Sequence, residues 1–372
     1  MKGGNFNKSG RKMRVLVAPL DWGLGHTTRC IPLIKELINN DCEVLLAAEG
    51  AAMYLLKLEF PQLELLHLKG YRMRYSRGRN GFLSRLILQF PKILWSAFKE
   101  HRWLKMAVRE KDIDVVISDS RFGIYHHAVP CIYITHQLTV KTGNRFTERL
   151  AQKIHYYFIN KYRVCWVPDA PGEYNLTGDL SHPPKMPKTP VKYIGPLSRF
   201  EKNADIKKYD LAIILSGPEP QRTIFEDLLL IEFEHYKGSC IFMRGLPGDA
   251  AIKPCSNNNI GMFNHLPAAE LSKVIQASNL VISRSGYTTV MDLVKLRQKA
   301  ILIPTPGQTE QEYLADYLSA RNYFYSMDQD KFSLAAVELL GNLPASLPQT
   351  FPEEFKQAVY DLISTFPATS SL

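Results

Sequence analysis

Short, continuous apolar runs alternate with amphipathic stretches along this chain, and the alternation occurs in two separate series. Continuous apolar runs separated by helical stretches are typical of a parallel sheet that is covered on both faces. We therefore predict an α/β fold of two successive doubly wound, Rossmann-like domains. The predicted strands are 15–18, 44–47, 63–68, 114–118, 131–134 and 164–167 in the first series, and 211–215, 240–243, 280–282 and 300–303 in the second.

A proline-rich stretch, 181–190, separates the two series and is followed by polar residues up to Asp210. Such stretches are typical of domain boundaries, and 372 residues exceed what a single compact core usually organises. We predict an N-terminal domain over 1–199 and a C-terminal domain over 200–372. The last helical stretch, 355–366, is expected to pack back on the N-terminal domain.

The excess of positive charge lies in the first half of the chain. The formal net charge is +10, yet 1–199 holds 31 Lys and Arg against 16 Asp and Glu, whereas 200–372 holds 15 against 20. Segment 69–111 alone carries 12 basic residues and two acidic ones. A basic balance predicts an acidic partner, which could be a nucleic acid, an anionic membrane surface or a phosphate-bearing substrate.

Part of this basic segment, 82–99, is apolar except for one narrow stripe on a helix. The stripe consists of Arg85, Gln89, Lys92, Ser96 and Lys99. Two interpretations stay open, a core helix or a basic, aromatic-bearing surface that docks on anionic lipid. The Arg and Tyr residues of 69–80 would also suit a nucleic acid, but no nucleic-acid-binding motif accompanies them.

Cysteine usage and the chain's first residues indicate a reducing compartment. The six cysteines are scattered and form no C-x-x-C pair, which is typical of buried thiols. Residues 1–13 are polar and basic without a following signal-like apolar run. We predict a cytoplasmic protein, peripheral on the inner face of the cell membrane. No set of side chains has a metal-ligand spacing, so no metal site is predicted.

The first strand is followed by a loop of small residues that opens a helix, 19–29. Gly23 and Gly25 allow the backbone to turn sharply, and the helix N-terminus behind them favours negative charge. His26 stands where ligands bind in an open α/β sheet, and its ordinary pKa near neutrality suits a general base. It could equally cap the helix. Arg29 completes this loop as a candidate ligand-side residue.

A comparable loop follows the predicted strand 280–282 in the second domain. Ser285, Gly286 and the backbone N–H groups up to Thr288 can hold a diphosphate at a helix N-terminus. Asp292 follows one and a half turns later and could accept both hydroxyls of a ribose. The alternative for this loop is an N-capped helix with a solvated acid.

Three further loops end strands of the second domain at the same predicted sheet edge. One could bring the Gly217 backbone and the Arg222 side chain near a phosphate. Another could hold a flat base against Phe263 and Asn264. A third, after strand 300–303, offers Glu310 and Gln311 to sugar hydroxyls, although a polar helix start would look the same.

Taken together, these loops resemble those of the GT-B glycosyltransferases, most closely glycosyltransferase family 28 with its peptidoglycan-precursor N-acetylglucosaminyltransferases. The resemblance covers most of the chain and is most specific over 279–315, then over 23–29. It implies two Rossmann-like domains that face each other across a cleft, and an inverting, metal-independent transfer of a sugar from a UDP-sugar. It also implies a donor in the C-terminal domain and an acceptor in the N-terminal domain.

The family pattern assigns a role to each matching residue. His26 is the implied base, and Asp292 the implied ribose acid, which is usually Glu. The family pattern further implies that the phosphates are bound by Ser285 and Gly286, uracil by Phe263 and Asn264, and the donor sugar by Glu310 and Gln311.

The first loop departs from the peptidoglycan enzymes, because Asp21 and Trp22 replace part of a glycine-rich segment. The peptidoglycan acceptor is therefore not carried over. Gly23 to Arg29 also resembles the UDP-sugar hydrolase of pseudaminic acid synthesis, in which water replaces the acceptor. We weigh three hypotheses: a glycosyltransferase that transfers an N-acetylhexosamine, a UDP-sugar hydrolase, and a basic membrane- or nucleic-acid-binding module with a degenerate nucleotide site.

Overall fold

The structure is a computed structural model, and it describes residues 11–71, 82–142, 144–203, 206–217, 219–246, 251, 253, 255–343, 346–348, 351 and 354–366; of 82–90 only the backbone is described. The chain divides into two compact units. Among the described residues, the first unit comprises the chain up to Leu197 except 82–85, together with the C-terminal helix, and the second comprises 82–85 and the chain from Ser198 onward. The predicted basic cluster within 72–81 lies outside the described residues.

The first unit contains a parallel sheet of seven strands in the order β3-β2-β1-β4-β5-β6-β7. Its strands are β1 (Arg14–Pro19), β2 (Glu43–Ala48), β3 (Glu64–His67), β4 (Val115–Asp119), β5 (Cys131–Ile134), β6 (Val164–Val167) and β7 (Val191–Tyr193). The helices of this unit are α1 (Leu24–Asn39), α2 (Gly50–Glu59), α3 (Phe82–Glu110), α4 (Arg145–Ile159) and α10 (Glu354–Thr365).

The second unit contains a parallel sheet of six strands in the order β10-β9-β8-β11-β12-β13. Its strands are β8 (Tyr209–Ile214), β9 (Cys240–Met243), β10 (Ile260–Phe263), β11 (Ser278–Ser283), β12 (Ala300–Leu302) and β13 (Tyr325–Ser326). Its helices are α5 (Gln221–Glu232), α6 (Ala268–Gln276), α7 (Tyr287–Leu296), α8 (Thr309–Ala320) and α9 (Leu334–Gly341).

Both sheets have a point at which the strand order reverses. In the first sheet the chain runs outward from β1 to β3 and returns to β4, so the carboxyl ends of β1 and β4 border a crevice. In the second sheet the same reversal lies between β8 and β11. Ligands of open α/β sheets bind at such switch points, which places the loops after these four strands at the candidate sites.

Apolar side chains cover both faces of the first sheet, as the continuous apolar runs predict. One cluster packs α1, α2 and α10 on one face, and a second packs α3 and α4 on the other. The C-terminal helix α10 buries Phe355, Val359 and Leu362 against the α1 side. No helix in the described part of the chain is long and apolar enough to cross a bilayer.

The two-domain α/β prediction is confirmed, whereas three short edge strands, β7, β10 and β13, were not predicted. Each is two to four residues long and lies at or near a sheet edge. Edge strands are only partly buried, so they lack the continuous apolar run that identifies a central strand. The burial of β7, which is intermediate at all three positions, illustrates this.

Candidate active site

His26 and Asp119 meet at the switch point of the first sheet. Asp119 is the last residue of β4 and is fully buried, and His26 lies in the first turn of α1 with 17% of its side chain exposed. The imidazole Nδ1 lies 3.3 Å from Asp119 Oδ1. The two residues meet because β1 and β4 pair in parallel, with Pro19 opposite Asp119.

Arg29 is buried one helical turn after His26 and binds the same carboxylate. Its Nε donates to Asp119 Oδ2 at 2.7 Å, its Nη2 also contacts Asp119 Oδ1, and its Nη1 lies 2.8 Å from Nδ1 of His136. We expected Arg29 on the ligand side of the loop. The structure instead buries its guanidinium against Asp119, where it holds the carboxylate in place.

This arrangement keeps the Asp119 carboxylate negatively charged. Burial by itself would raise the pKa of Asp119, but the positive charge of Arg29, together with His26, outweighs burial and holds that pKa well below its ordinary value. Asp119 therefore stays ionised at neutral pH. A buried, ionised carboxylate beside an imidazole orients the ring and stabilises its protonated form.

The tautomer of His26 depends on which neighbour its Nδ1 contacts. Arg29 Nη2 lies 2.9 Å from Nδ1 and could donate to it, whereas Asp119 Oδ1 can only accept from it. When Nδ1–H is donated to Asp119, the lone pair of Nε2 is available to accept a proton. This is the tautomer that a general base requires.

The glycines of the first loop shape the start of α1. Gly23 is its N-cap residue with φ +114°, a conformation that favours glycine. Gly25 is within the first turn, and its carbonyl accepts the Thr28 hydroxyl at 3.1 Å. Asp21 accepts the Tyr71 N–H at 2.9 Å. These residues fix the path of the loop and thereby the position of His26.

The predicted phosphate loop opens α7 at the switch point of the second sheet. Helix α7 begins at Tyr287. Its N-cap residue is Gly286, which has no side chain that could cap the helix. Thr288 lies in the first turn and is partly buried. The N-terminal N–H groups of a helix and its dipole favour an anion at this position.

Gln311 and Ser285 join the loops that follow β11 and β12. Ser285 is buried, and its hydroxyl donates to the Gln311 carbonyl at 2.8 Å. The side chain of Gln311 accepts the Thr305 N–H at 2.9 Å. Gln311 thus supports the loop, whereas the partly buried Glu310, in the first turn of α8, remains the predicted donor-sugar contact.

Asp292 lies in α7, and its carboxylate accepts the Ser198 hydroxyl at 2.5 Å. Burial raises the pKa of Asp292 to about 6, although Arg199 and the Ser198 hydroxyl act in the opposite direction. The side chain is partly exposed. A carboxylate in this setting has unused acceptor capacity for ribose hydroxyls, as the family pattern implies.

Four buried polar atoms of the described structure have no hydrogen-bond partner at this edge of the second sheet. They are Ser283 Oγ, Thr305 Oγ1, Arg284 Nε and Gln221 Oε1. Buried polar atoms are almost always paired in folded proteins, so these four atoms have hydrogen-bonding capacity left for a ligand or a water molecule. Thr305, which was not predicted, lies beside Gly217, since a Cβ on Gly217 would be 3.9 Å from its hydroxyl.

The loop after β8 gives its two predicted residues different roles. Gly217 adopts φ +103°, which favours glycine at this turn. Arg222 is buried, and its Nε donates to Glu219 Oε1 at 2.6 Å while its Nη1 donates to Glu226 Oε2 at 3.2 Å. A phosphate would have to compete with two carboxylates for this guanidinium, so the structure favours a structural role for Arg222.

Phe263 is the last residue of β10, at the carboxyl edge of the second sheet, and Asn264 follows it. The Phe263 ring is exposed, which leaves a flat apolar face for a base. Asn264 Oδ1 accepts a hydrogen bond from Arg244 at 2.8 Å. The backbone oxygen of Asn264 accepts from the Leu246 N–H at 2.9 Å. Within the described residues no group of three or more His, Cys, Asp or Glu side chains is placed to hold a metal ion.

The sequence of this chain is similar to those of known glycosyltransferases. Residues 252–364 match the family model for the glycosyltransferase family 28 C-terminal domain. An uncharacterized glycosyltransferase of Methanosarcina acetivorans is 24% identical over 336 residues, covering 84% of each chain. A peptidoglycan-precursor N-acetylglucosamine transferase of Rhodopseudomonas palustris is 40% identical over 73 residues, covering 19% of this chain and 18% of its own.

Solved structures share the fold across nearly the whole chain. The kitacinnamycin glycosyltransferase has a TM-score of 0.64 at 16% identity and covers 97% of both chains. MurG of Acinetobacter baumannii has a TM-score of 0.55 at 13% identity, covering 95% of this chain and all of its own. The fold is therefore that of the GT-B glycosyltransferases, and the matched C-terminal domain together with the named relatives identifies the chain as a glycosyltransferase. Within that class, residues 252–364 are similar to the family 28 C-terminal domain.

Proposed function

We propose that this glycosyltransferase moves an N-acetylhexosamine from a UDP-sugar to a membrane-linked or surface-glycan acceptor, with inversion and without a metal ion. The observation that carries the proposal is the contact between His26 and the ionised Asp119 at a switch point of the first sheet. A base next to a buried carboxylate is what the activation of an acceptor hydroxyl requires.

The proposed reaction is a single displacement. Nε2 of His26 takes the proton from the acceptor hydroxyl, and the hydroxyl oxygen forms a bond to the anomeric carbon. The bond between that carbon and the diphosphate oxygen breaks on the opposite side, so the configuration inverts. UDP leaves with the electron pair of that bond, and the proton stays on His26 beside Asp119.

The donor residues supply what a departing diphosphate needs. The N-terminus of α7, with Ser285 and Gly286, stabilises the charge that develops on UDP. This electrostatic role is the one that a metal ion would otherwise fill, which supports a metal-independent reaction. Asp292 fixes the ribose, and Phe263 covers the uracil. Glu310 contacts the sugar hydroxyls.

The sugar and the nucleotide are inferred from relatives and not from this chain alone. The relative of Rhodopseudomonas palustris is named for transfer from UDP-N-acetylglucosamine, and VinC, with a TM-score of 0.58 and 11% identity, was solved with dTDP. The basic first half supports an acceptor at an anionic membrane surface. We place the enzyme in the cytoplasm, peripheral on the inner face of the cell membrane and active in cell-envelope synthesis.

Transfer and hydrolysis are distinguished by following the labelled sugar. The chain is incubated with UDP-N-acetylglucosamine or UDP-N-acetylgalactosamine, labelled in the sugar, with and without membranes of the cells that encode it. We expect label in the lipid or glycan fraction only when membranes are present, at a rate that a chelator does not change. Free sugar released at the same rate with and without membranes would instead assign the chain as a UDP-sugar hydrolase.

A further inference from the structure

Arg284 is a buried arginine whose charge no carboxylate compensates within the described structure. It directly follows β11 and is 1% exposed. The four other buried arginines of the described chain each contact a buried carboxylate. These pairs are Arg29 with Asp119, Arg121 with Glu100, and Arg222 and Arg244 with Glu226. Arg284 is therefore the exception among the buried arginines, and its charge needs an explanation of its own.

Uncharged oxygen atoms surround the Arg284 guanidinium instead. Its Nη1 donates to the carbonyls of Ile303 and Pro304, at 3.3 and 3.2 Å. Its Nη2 donates to the Gln221 carbonyl at 3.0 Å and to Gln329 Oε1 at 2.7 Å. These oxygens pair with the N–H groups but carry no net charge, so the site as a whole keeps the full positive charge of the guanidinium.

The charge of Arg284 persists at neutral pH although the side chain is buried. Burial lowers the pKa of Arg284 to about 9, and no ionised neighbour raises that pKa. The Phe225 ring, whose centroid lies 4.3 Å from the guanidinium carbon, stabilises the cation but is itself uncharged. Buried charges in proteins are normally paired, because removing an ion from water is costly. A buried charge without a counter-charge therefore indicates a site at which an anion binds.

The position of Arg284 identifies the place of that anion. Its partner Gln221 begins α5 after the loop that follows β8, and its partner Pro304 belongs to the loop that follows β12. Arg284 itself lies two residues before Gly286, the N-cap residue of α7. The charge thus stands behind a helix N-terminus at the switch point of the second sheet, where backbone N–H groups and the helix dipole already favour an anion.

Buried hydroxyl groups at the same edge of the sheet still have hydrogen-bonding capacity. Ser283 and Thr305 are 0% and 2% exposed, and within the described residues neither hydroxyl has a hydrogen-bond partner. The Nε of Arg284 has none there either. Thr305 lies beside the loop that follows β8, since its hydroxyl would be 3.9 Å from a Cβ on Gly217. Hydroxyl and guanidinium donors bind phosphate oxygens well, so this edge suits a diphosphate better than a neutral group.

We propose that Arg284 is the buried counter-charge of the donor's diphosphate. The proposal rests on the proposed function, because it assigns a residue to the leaving group of that reaction. Arg284 is a positioning residue: it joins the loops after β8, β11 and β12 and supplies a fixed positive charge, without direct contact with the donor. When the bond to the anomeric carbon breaks, its electron pair passes to the diphosphate oxygen. The fixed cation stabilises this growing negative charge more strongly than it stabilises the intact donor.

The test changes the charge at this site in two independent ways. Gln329→Glu places a carboxylate next to Arg284 in a side chain of the same length, and Arg284→Met removes the cation. The control, Gln357→Glu, adds the same negative charge on the exposed surface of α10 in the first unit. The melting temperature of each full-length variant is measured first, and its affinities for uridine, UMP and UDP are then measured by calorimetry.

Gln329→Glu should raise the melting temperature and yet weaken UDP binding. The buried cation gains a counter-charge, which stabilises the folded chain, whereas the diphosphate loses the charge that attracts it. We expect UDP affinity to fall by roughly 10- to 100-fold in both variants, the effect of one charge that acts over several ångströms inside a protein. UMP affinity should fall less, and uridine affinity should stay within about twofold because uridine carries no charge. The control should bind all three ligands as the wild type does.

Two results would overturn the proposal. One is a Gln329→Glu variant that binds UDP as tightly as the wild type does. The other is an Arg284→Met variant that loses uridine and UDP affinity by the same factor, because a merely structural role would disturb the whole site equally. If Arg284→Met does not fold, Gln329→Glu decides alone, since it keeps the shape of the side chain. A wild type that binds neither uridine nor UDP refutes the proposed donor, whereas a wild type that prefers UDP, with variants that keep this preference, refutes only the role of Arg284.

Discussion

Replacing His26 by alanine is expected to lower the transfer rate by roughly 10²–10⁴-fold, the range that general-base catalysis contributes. UDP affinity should stay within about twofold of the wild type, since the proposed donor residues lie in the other unit. The substitution removes the imidazole that takes the proton of the acceptor hydroxyl. The rate is measured at saturating donor, and the affinity by calorimetry.

A matched control separates this effect from the loss of any histidine. His127 is exposed and precedes β5, at the amino end of that strand, so His127→Ala should transfer sugar at the wild-type rate. An unchanged rate in His26→Ala would contradict the assignment of the base. Asp119→Asn is the less clean test, because it would leave the buried Arg29 without its carboxylate and would therefore also lower stability.

Replacing Asp292 by asparagine is expected to weaken UDP binding by roughly 10- to 100-fold, the worth of hydrogen bonds to a charged acceptor. The substitution keeps the shape of the side chain and the acceptor for Ser198 but removes the negative charge. Deoxy-UDP, which lacks the 2′-hydroxyl, provides the internal comparison. The wild type should prefer UDP to deoxy-UDP, and the variant should lose most of that preference. Equal preference in both proteins would contradict the ribose assignment.

The pKa of Asp292 adds a pH dependence to the same experiment. Because burial raises this pKa to about 6, the carboxyl group is protonated below that pH and accepts ribose hydroxyls less well. The affinity of the wild type for a UDP-sugar, whose doubly esterified diphosphate has no proton that titrates near 6, should therefore fall as the pH drops through 6, whereas the variant should show no step there. Hydroxyl donors favour the ionised form, so UDP should in turn lower the pKa.

The contribution of Asp292 to folding stability should change with pH in the direction opposite to its contribution to nucleotide affinity. A raised pKa means that folding favours the protonated carboxyl group; this contribution is complete below the ordinary pKa of 3.8 and is lost as the pH rises through about 6. At pH 7.5 the Asp292→Asn variant avoids that penalty and should unfold at a higher temperature, with a gain of about 1–3 kcal/mol. At pH 4 the variant and the wild type should be nearly equal in melting temperature.

The central strands were predictable because each is buried on both faces and therefore carries a continuous apolar run, as in 114–118 and 211–215. The glycines and His26 were predictable because they stand in a loop directly after such a strand. These features can be predicted from the periodicity and composition of each segment, and no knowledge of contacts across the sheet is needed.

The partner of His26 was not predictable in the same way. Asp119 is one acid at the end of a strand, and nothing local distinguishes it from Asp114, which binds Arg11 instead. It becomes a candidate only once β1 and β4 are known to be neighbours, since their ends are 100 residues apart in the chain. The order of strands around the switch point was the missing information.

Arg29 and helix α4 illustrate two further limits. An arginine in a ligand-side loop looks available, but the carboxylate that buries Arg29 comes from a distant strand. In α4, apolar residues occupy two sides of the helix, so the sequence alone does not show which side is buried. Only the burial of Tyr156 and Phe158 in the unit's core identifies Phe146, Leu150 and Tyr157 as exposed.

A thermal-shift comparison of UDP, GDP and dTDP tests most directly whether this chain is a UDP-sugar enzyme. At a concentration of about 100 times its dissociation constant, a ligand stabilises the folded chain by about 2.7 kcal/mol, which raises the melting temperature by several degrees. We expect that rise with UDP, and a much smaller one with GDP or dTDP at the same concentration. No shift with any of the three, or a larger shift with GDP or dTDP than with UDP, would contradict the proposed donor.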